Sequence, residues 1–126
     1  MASPRILIVE DEPLVALELT ETLRDAGFDL PEPVDSADLL LSSVRSLHPD
    51  LVVMDIRLRS FLDGIDAVTR LRFISETPVI YLTAYSTPDV IRRADGTNPA
   101  AFLVKPVDGP LLIATIRSAL NLPAGA

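Results

Sequence analysis

Short, unbroken apolar runs alternate along the chain with longer stretches in which apolar residues return every three or four positions. Arg5-Ile-Leu-Ile-Val9, Leu51-Val-Val-Met54, Pro78-Val-Ile-Tyr-Leu82 and Ala101-Phe-Leu-Val104 are the clearest runs. Such continuous runs suit strands covered on both faces of a parallel sheet, where no polar side is needed. A further run, Phe28 to Val34, is interrupted by Pro31 and Pro33. Proline cannot donate to a ladder, so this strand is expected at the sheet edge.

The intervening segments carry helical periodicity. Val15, Leu19, Leu23 and Ala26 fall on one face, and Gly27 is placed to stop that helix. Leu40, Val44 and Leu47 make a second face, opened by Ser36 as N-cap and closed before Pro49, with His48 as a C-terminal cap. Ile65, Val68 and Leu71 make a third. Ser86-Thr87-Pro88-Asp89 supplies a hydroxyl cap, a proline in the first turn and an early acid, and opens a short fourth helix that ends near Gly96. Leu112, Ile116, Ala119 and Leu120 mark the last, stopped by Pro123.

Five strand–helix units with short connections predict an α/β fold, a doubly wound five-stranded parallel sheet. With the edge strand second in sequence, the expected spatial order is 2-1-3-4-5. The 126 residues fit one domain, residues 1–126 with a core over about 4–122. No repeat or linker divides them.

Composition narrows the function. With 48% hydrophobic residues the chain can build a full core, and the absence of cysteine excludes disulfides and thiolate metal ligands. The longest apolar run, Ala100 to Val104, is far short of the roughly 18 residues of a membrane span. The run Ile6 to Val9 is too short for a signal peptide, so a soluble cytoplasmic protein is expected, with no membrane partner. The net charge of −7 is concentrated at one end: residues 1–38 hold ten acids against Arg5 and Arg24. That field disfavours direct nucleic-acid binding and attracts cations. Most of these acids serve a solvated first helix. Glu10 and Asp11 stand apart because they leave a strand.

In open α/β sheets chemistry collects beyond the C-terminal ends of the strands. The first strand exits into Glu10-Asp11-Glu12, the third into Asp55, the fourth into Thr83-Ala84 and the fifth into Lys105-Pro106. Clustered carboxylates repel unless a cation intervenes, and Mg²⁺ favours few carboxylates, several waters and a phosphate oxygen. A carboxylate beside such an ion can attack phosphorus to form an acyl phosphate. Lys105 is the sole lysine among eleven basic residues. A compact ammonium suits a phosphoryl site better than a planar guanidinium does. Singly, each residue has an ordinary explanation, as a helix-start acid, a turn aspartate, a strand threonine or a core aromatic; it is their convergence that points to a site.

Ile-Val-Glu-Asp-Glu-Pro (8–13), Val-Val-Met-Asp-Ile-Arg-Leu (52–58), Asp-Gly-Ile (63–65), Leu-Thr-Ala (82–84) and Phe-Leu-Val-Lys-Pro (102–106) resemble the receiver domains of two-component response regulators. The resemblance covers essentially the whole chain and implies a flavodoxin-like (βα)5 fold. It makes Asp55 the phosphoacceptor. Glu10, Asp11, Asp55 and the backbone carbonyl of Arg57 would serve Mg²⁺, or Mn²⁺ in its place. Thr83, Ala84 and Lys105 would bind the phosphoryl group, and Phe102 would be the aromatic that changes rotamer. A sensor histidine kinase or phosphotransfer protein would be the donor, and a separate effector would read the state through the face of the fourth helix, fifth strand and fifth helix, which also offers a homodimer contact. Arg92 and Arg93 would offer contacts there. A tight turn with a cis Lys105–Pro106 bond is expected.

The loop after Asp55 is one residue longer than in many receivers and lacks their Pro-Gly pair. With Tyr81-Leu-Thr-Ala-Tyr85 it is similar to a subgroup paired with HWE-type sensor kinases. Phe61, in this loop, is expected to fold onto apolar neighbours. The alternative function is a receiver-like scaffold that binds partners without phosphorylation. A phosphohydrolase of the aspartyl-phosphate type needs a second aspartate two residues after the first, where this chain has Arg57, so a regulatory role is expected rather than an enzyme, with at most self-phosphorylation and self-dephosphorylation. Nothing in the chain remains for an output domain, so a single-domain regulator or an excised fragment is expected.

Overall fold

A computed structural model describes residues 3–57, 63–84 and 86–123. Residues 58–62, Phe61 among them, and Tyr85 lie outside them. Four strands, β1 (Ile6–Val9), β2 (Leu51–Asp55), β3 (Val79–Thr83) and β4 (Ala101–Val104), form a parallel sheet in the order β1-β2-β3-β4. Five α-helices accompany them: α1 (Pro13–Asp25), α2 (Leu40–Leu47), α3 (Gly64–Leu71), α4 (Pro88–Asp95) and α5 (Gly109–Ala119). Every residue of β1, β2 and β3 is buried, as their unbroken apolar runs require.

Successive strand residues point to opposite faces, and each face has its own core. Ile6, Ile8, Val53, Ile80 and Leu82 pack against Leu19 and Leu23 of α1 and Leu112 and Ile116 of α5. Leu7, Val9, Val52, Met54 and Tyr81 pack against Leu40 and Val44 of α2, Val68 and Leu71 of α3, and Ala94 of α4. Among the described residues, no helix is long and apolar enough to cross a membrane.

The expected five-stranded sheet is not formed. Residues 28–34 make only two isolated parallel bridges alongside β1, Asp29 with Arg5 just before the strand and Val34 with Val9 at its end. Pro31 and Pro33 lie between those bridges and bring no N–H, so no ladder can close there. Instead Arg24 of α1 donates to the Leu30 carbonyl at 3.2 Å. Backbone bonds join the segment to β1 at its two ends, Ile6 N–H to the Asp29 carbonyl and both Glu10 N–H to the Val34 carbonyl and Val34 N–H to the Ile8 carbonyl at 2.9 Å, but it forms no continuous strand, and the ordered sheet has four strands.

Most helix signals act as the sequence suggests. Gly27 adopts φ +98° after α1, a conformation that glycine reaches without strain. His48 caps α2 in the left-handed region, its N–H bonded to the Val44 carbonyl at 3.0 Å. Ser36 accepts from the Asp38 N–H and starts a 3₁₀ turn over Ala37–Leu39 ahead of α2. Thr87 caps α4.

Candidate functional site

The parallel register brings four strand ends to one level. Val9 pairs with Met54, Asp55 with Leu82, and Thr83 with Val104. Glu10, Asp55, Thr83 and Lys105 thus stand at or one residue beyond the last pair of their strands. Two backbone bonds tie the exits together: Ile56 N–H to the Leu82 carbonyl at 3.2 Å and Lys105 N–H to the Thr83 carbonyl at 2.7 Å. Lys105–Pro106 is a cis peptide.

Glu10, Asp11 and Asp55 each offer a carboxylate oxygen, and the three lie within 4.8 Å of one another. Glu10 is 3% exposed and Asp55 6%, so their charges are poorly solvated. The Lys105 ammonium answers them, donating to Glu10 Oε1 at 3.3 Å, Glu10 Oε2 at 3.2 Å and Asp55 Oδ2 at 3.1 Å. The other Asp55 oxygen, Oδ1, accepts the Arg57 N–H at 3.1 Å. Burial first, and then the neighbouring Asp55, push the Glu10 carboxyl up to about 8, against the opposing pull of Lys105. Burial pulls the Lys105 ammonium down, but the charges and hydrogen bonds of Asp55 and Glu10 outweigh it and hold the ammonium above its ordinary range.

This arrangement fits a hard divalent cation. The donors are carboxylate oxygens with no sulfur or imidazole among them, the set such ions select. One ammonium shared between Glu10 and Asp55 leaves the cluster net negative, which a cation would relieve.

Thr83 ends β3 fully buried, and Ala84 beside it is exposed. Phe102 is half-buried on the face that carries α3 and α4, its ring 6.4 Å from that of Tyr81 and tilted by 54°. The Tyr81 hydroxyl is buried 2.7 Å from Thr97 Oγ1. Thr97 donates its own proton to the Ala94 carbonyl at 2.6 Å, so Tyr81 is the donor of the pair.

Two features escaped the sequence reading. Gly64 packs so closely on the Asp55 backbone that a Cβ there would collide with the Asp55 carbonyl oxygen. Its N–H donates to the Ile56 carbonyl at 2.9 Å, so the turn after Asp55 is held by a residue that must be glycine. Its place in Asp63-Gly-Ile65 was visible; its contact was not. The second is an ion pair: Arg93, half-exposed on α4, reaches α3, 3.0 Å from Asp63 Oδ2 and 3.1 Å from Asp66 Oδ1. Arg92 is paired with Asp89 on the exposed side of α4.

The response regulator receiver domain profile matches residues 6–117. The transcriptional regulatory protein PdtaR of Mycobacterium tuberculosis is 34% identical over 117 residues, which is 93% of this chain and 57% of that protein. The DNA-binding response regulator MtrA of Mycolicibacterium smegmatis is 38% identical over 118 residues, 93% of this chain and 50% of that one. The chain spans about half the length of the curated relatives it matches. Among solved structures, the signal receiver domain of a modulated diguanylate cyclase from Desulfovibrio desulfuricans G20 superposes with a TM-score of 0.88 at 32% identity, over 94% of each chain.

Proposed function

This chain belongs to the response regulator receiver domain family, and from that premise we propose that it stores a two-component signal as a phosphoryl group on Asp55. The observation that carries the reading is the bridge from Lys105 to Asp55 and Glu10, with Asp11 completing the acid cluster. Glu10, Asp11, Asp55 and the Arg57 carbonyl would hold Mg²⁺ or Mn²⁺. When bound, the ion supplies positive charge beside the incoming phosphoryl oxygens.

In the step itself an Asp55 carboxylate oxygen attacks phosphorus. An O–P bond forms and the bond from phosphorus to the donor breaks, the electron pair leaving with the donor's imidazole nitrogen or acyl carboxylate. Lys105 offers its ammonium to a phosphoryl oxygen, and Thr83 and the backbone at Ala84 offer hydrogen bonds to the others. Thr83 turns toward the phosphoryl group, and Phe102 moves into the space beside it. This shifts the population of the face made by α4, β4 and α5.

The donor is a sensor histidine kinase or phosphotransfer protein in the cytoplasm. The long loop after Asp55 and the Tyr81-to-Tyr85 sequence support a kinase of the HWE or a related class. The output is read by a downstream effector on the α4-β4-α5 face, which also serves homodimer contact, and the protein is regulatory, limited to self-phosphorylation and self-dephosphorylation. A beryllofluoride titration with Mg²⁺, followed by NMR, tests this. Shifts should spread from Asp55 through Thr83 to Phe102 and across residues 84–112. Changes confined to the loops around Asp55 would contradict the route.

A further inference from the structure

Arg93 stands on α4, yet its guanidinium is spent on the first turn of α3. One nitrogen, Nη2, meets Asp63 Oδ2 at 3.0 Å and Asp66 Oδ1 at 3.1 Å. Asp63 is also the N-cap of α3, its Oδ1 accepting the Asp66 N–H at 2.8 Å. The next residue, Gly64, bonds to Ile56 and lies against the Asp55 carbonyl with no room for a side chain. A cleft of about 440 Å³ is lined by Asp11, Ile56, Asp63 and Arg93 together, so the ion pair borders the same space as the acid cluster. The contacts thus run unbroken from α4 to Asp55: Arg93 to Asp63, Asp63 to Gly64 through the chain, Gly64 to Asp55.

We propose that Arg93 is a positioning residue for Asp55, which sets the turn after β2 through Asp63 and Gly64 and so ties the placement of α4 to the phosphoryl site. The proposal rests on Asp55 being the acceptor. It goes beyond that reading by naming the ion pair that joins the acceptor loop to α4. Close packing at Gly64 makes the link stiff, because neither Asp55 nor α3 can move there without the other. Coupling between sites is reciprocal, so a group on Asp55 should also disturb the Arg93 pair.

The test compares wild type with Arg93→Gln, Asp63→Asn and the double variant. Asparagine caps a helix about as well as aspartate, so Asp63→Asn removes the charge-assisted bond to Arg93 while keeping α3 started. Each single change should weaken beryllofluoride binding, with Mg²⁺ present, by about two- to fivefold, the range of a half-exposed ion pair. The double variant should be no weaker than the singles, and Arg93→Lys should recover part of the loss. In the unliganded protein, Arg93→Gln should also shift the amide resonances of Ile56 and Gly64. Wild-type affinity in Arg93→Gln, additive losses in the double variant, or unmoved Ile56 and Gly64 resonances would overturn the proposal. Failure of wild type itself to bind beryllofluoride would sink the acceptor reading instead, and the Ile56 and Gly64 resonances would then decide the coupling alone.

Discussion

The Lys105 ammonium reaches over the sheet to Asp55 and stands 3.1 Å from its Oδ2, while the same nitrogen holds both oxygens of Glu10. Asp55 is thereby kept paired at 6% exposure. The ammonium places positive charge beside both carboxylates at the strand ends.

Lys105→Arg is therefore not expected to be conservative. The ammonium serves three carboxylate oxygens from two directions, which a compact head with three donors can do. A planar fork suits one bidentate partner. With wild type and Lys105→Arg phosphorylated to the same extent, the chemical-shift change at Phe102 should be clearly smaller in the variant. An equal response would show that charge alone suffices.

Glu10 gives a pH signature. Its carboxyl is raised from 4.5 to about 8 by burial and by Asp55. The metal-free fold thus gains from the protonated form, a contribution present in full below 4.5 and lost as pH rises through about 8. In the absence of metal, the urea midpoint of wild type should fall between pH 4.5 and about 8 relative to Glu10→Gln and level off above. Mg²⁺ affinity should rise over the same window as the proton leaves. Parallel midpoint curves for the two proteins would refute this.

Gly64→Ala should act on the turn after Asp55 from behind. A methyl group cannot enter beside the Asp55 carbonyl without moving backbone, and overpacking of this kind costs about 1–3 kcal/mol. A lowered unfolding midpoint together with shifted Asp55 and Ile56 resonances is expected. A substitution tolerated without either change would show the contact to be soft.

The parts of this molecule that could be read in advance share a physical cause. Strands buried on both faces leave unbroken apolar runs, so Ile6–Val9, Leu51–Asp55 and Val79–Thr83 were visible. The residues that leave them were visible as a convergent site because parallel strands all end on one side. The edge segment at 28–34 was harder. Phe28 and Leu30 bury like strand residues and Val34 partly does, but the two prolines between the bridged ends bring no N–H and interrupt the ladder. The Arg93 ion pair was hidden for a related reason. Its partners Asp63 and Asp66 lie 30 and 27 residues away, and no local pattern encodes an ion pair between two helices.

The most direct measurement is the intact mass of the protein after incubation with a small acyl phosphate and Mg²⁺, beside an EDTA control and Asp55→Asn. Wild type should gain one phosphoryl group with Mg²⁺ and none with EDTA, and Asp55→Asn should gain none. Equal labelling of wild type and Asp55→Asn would contradict the assignment of Asp55 as the acceptor.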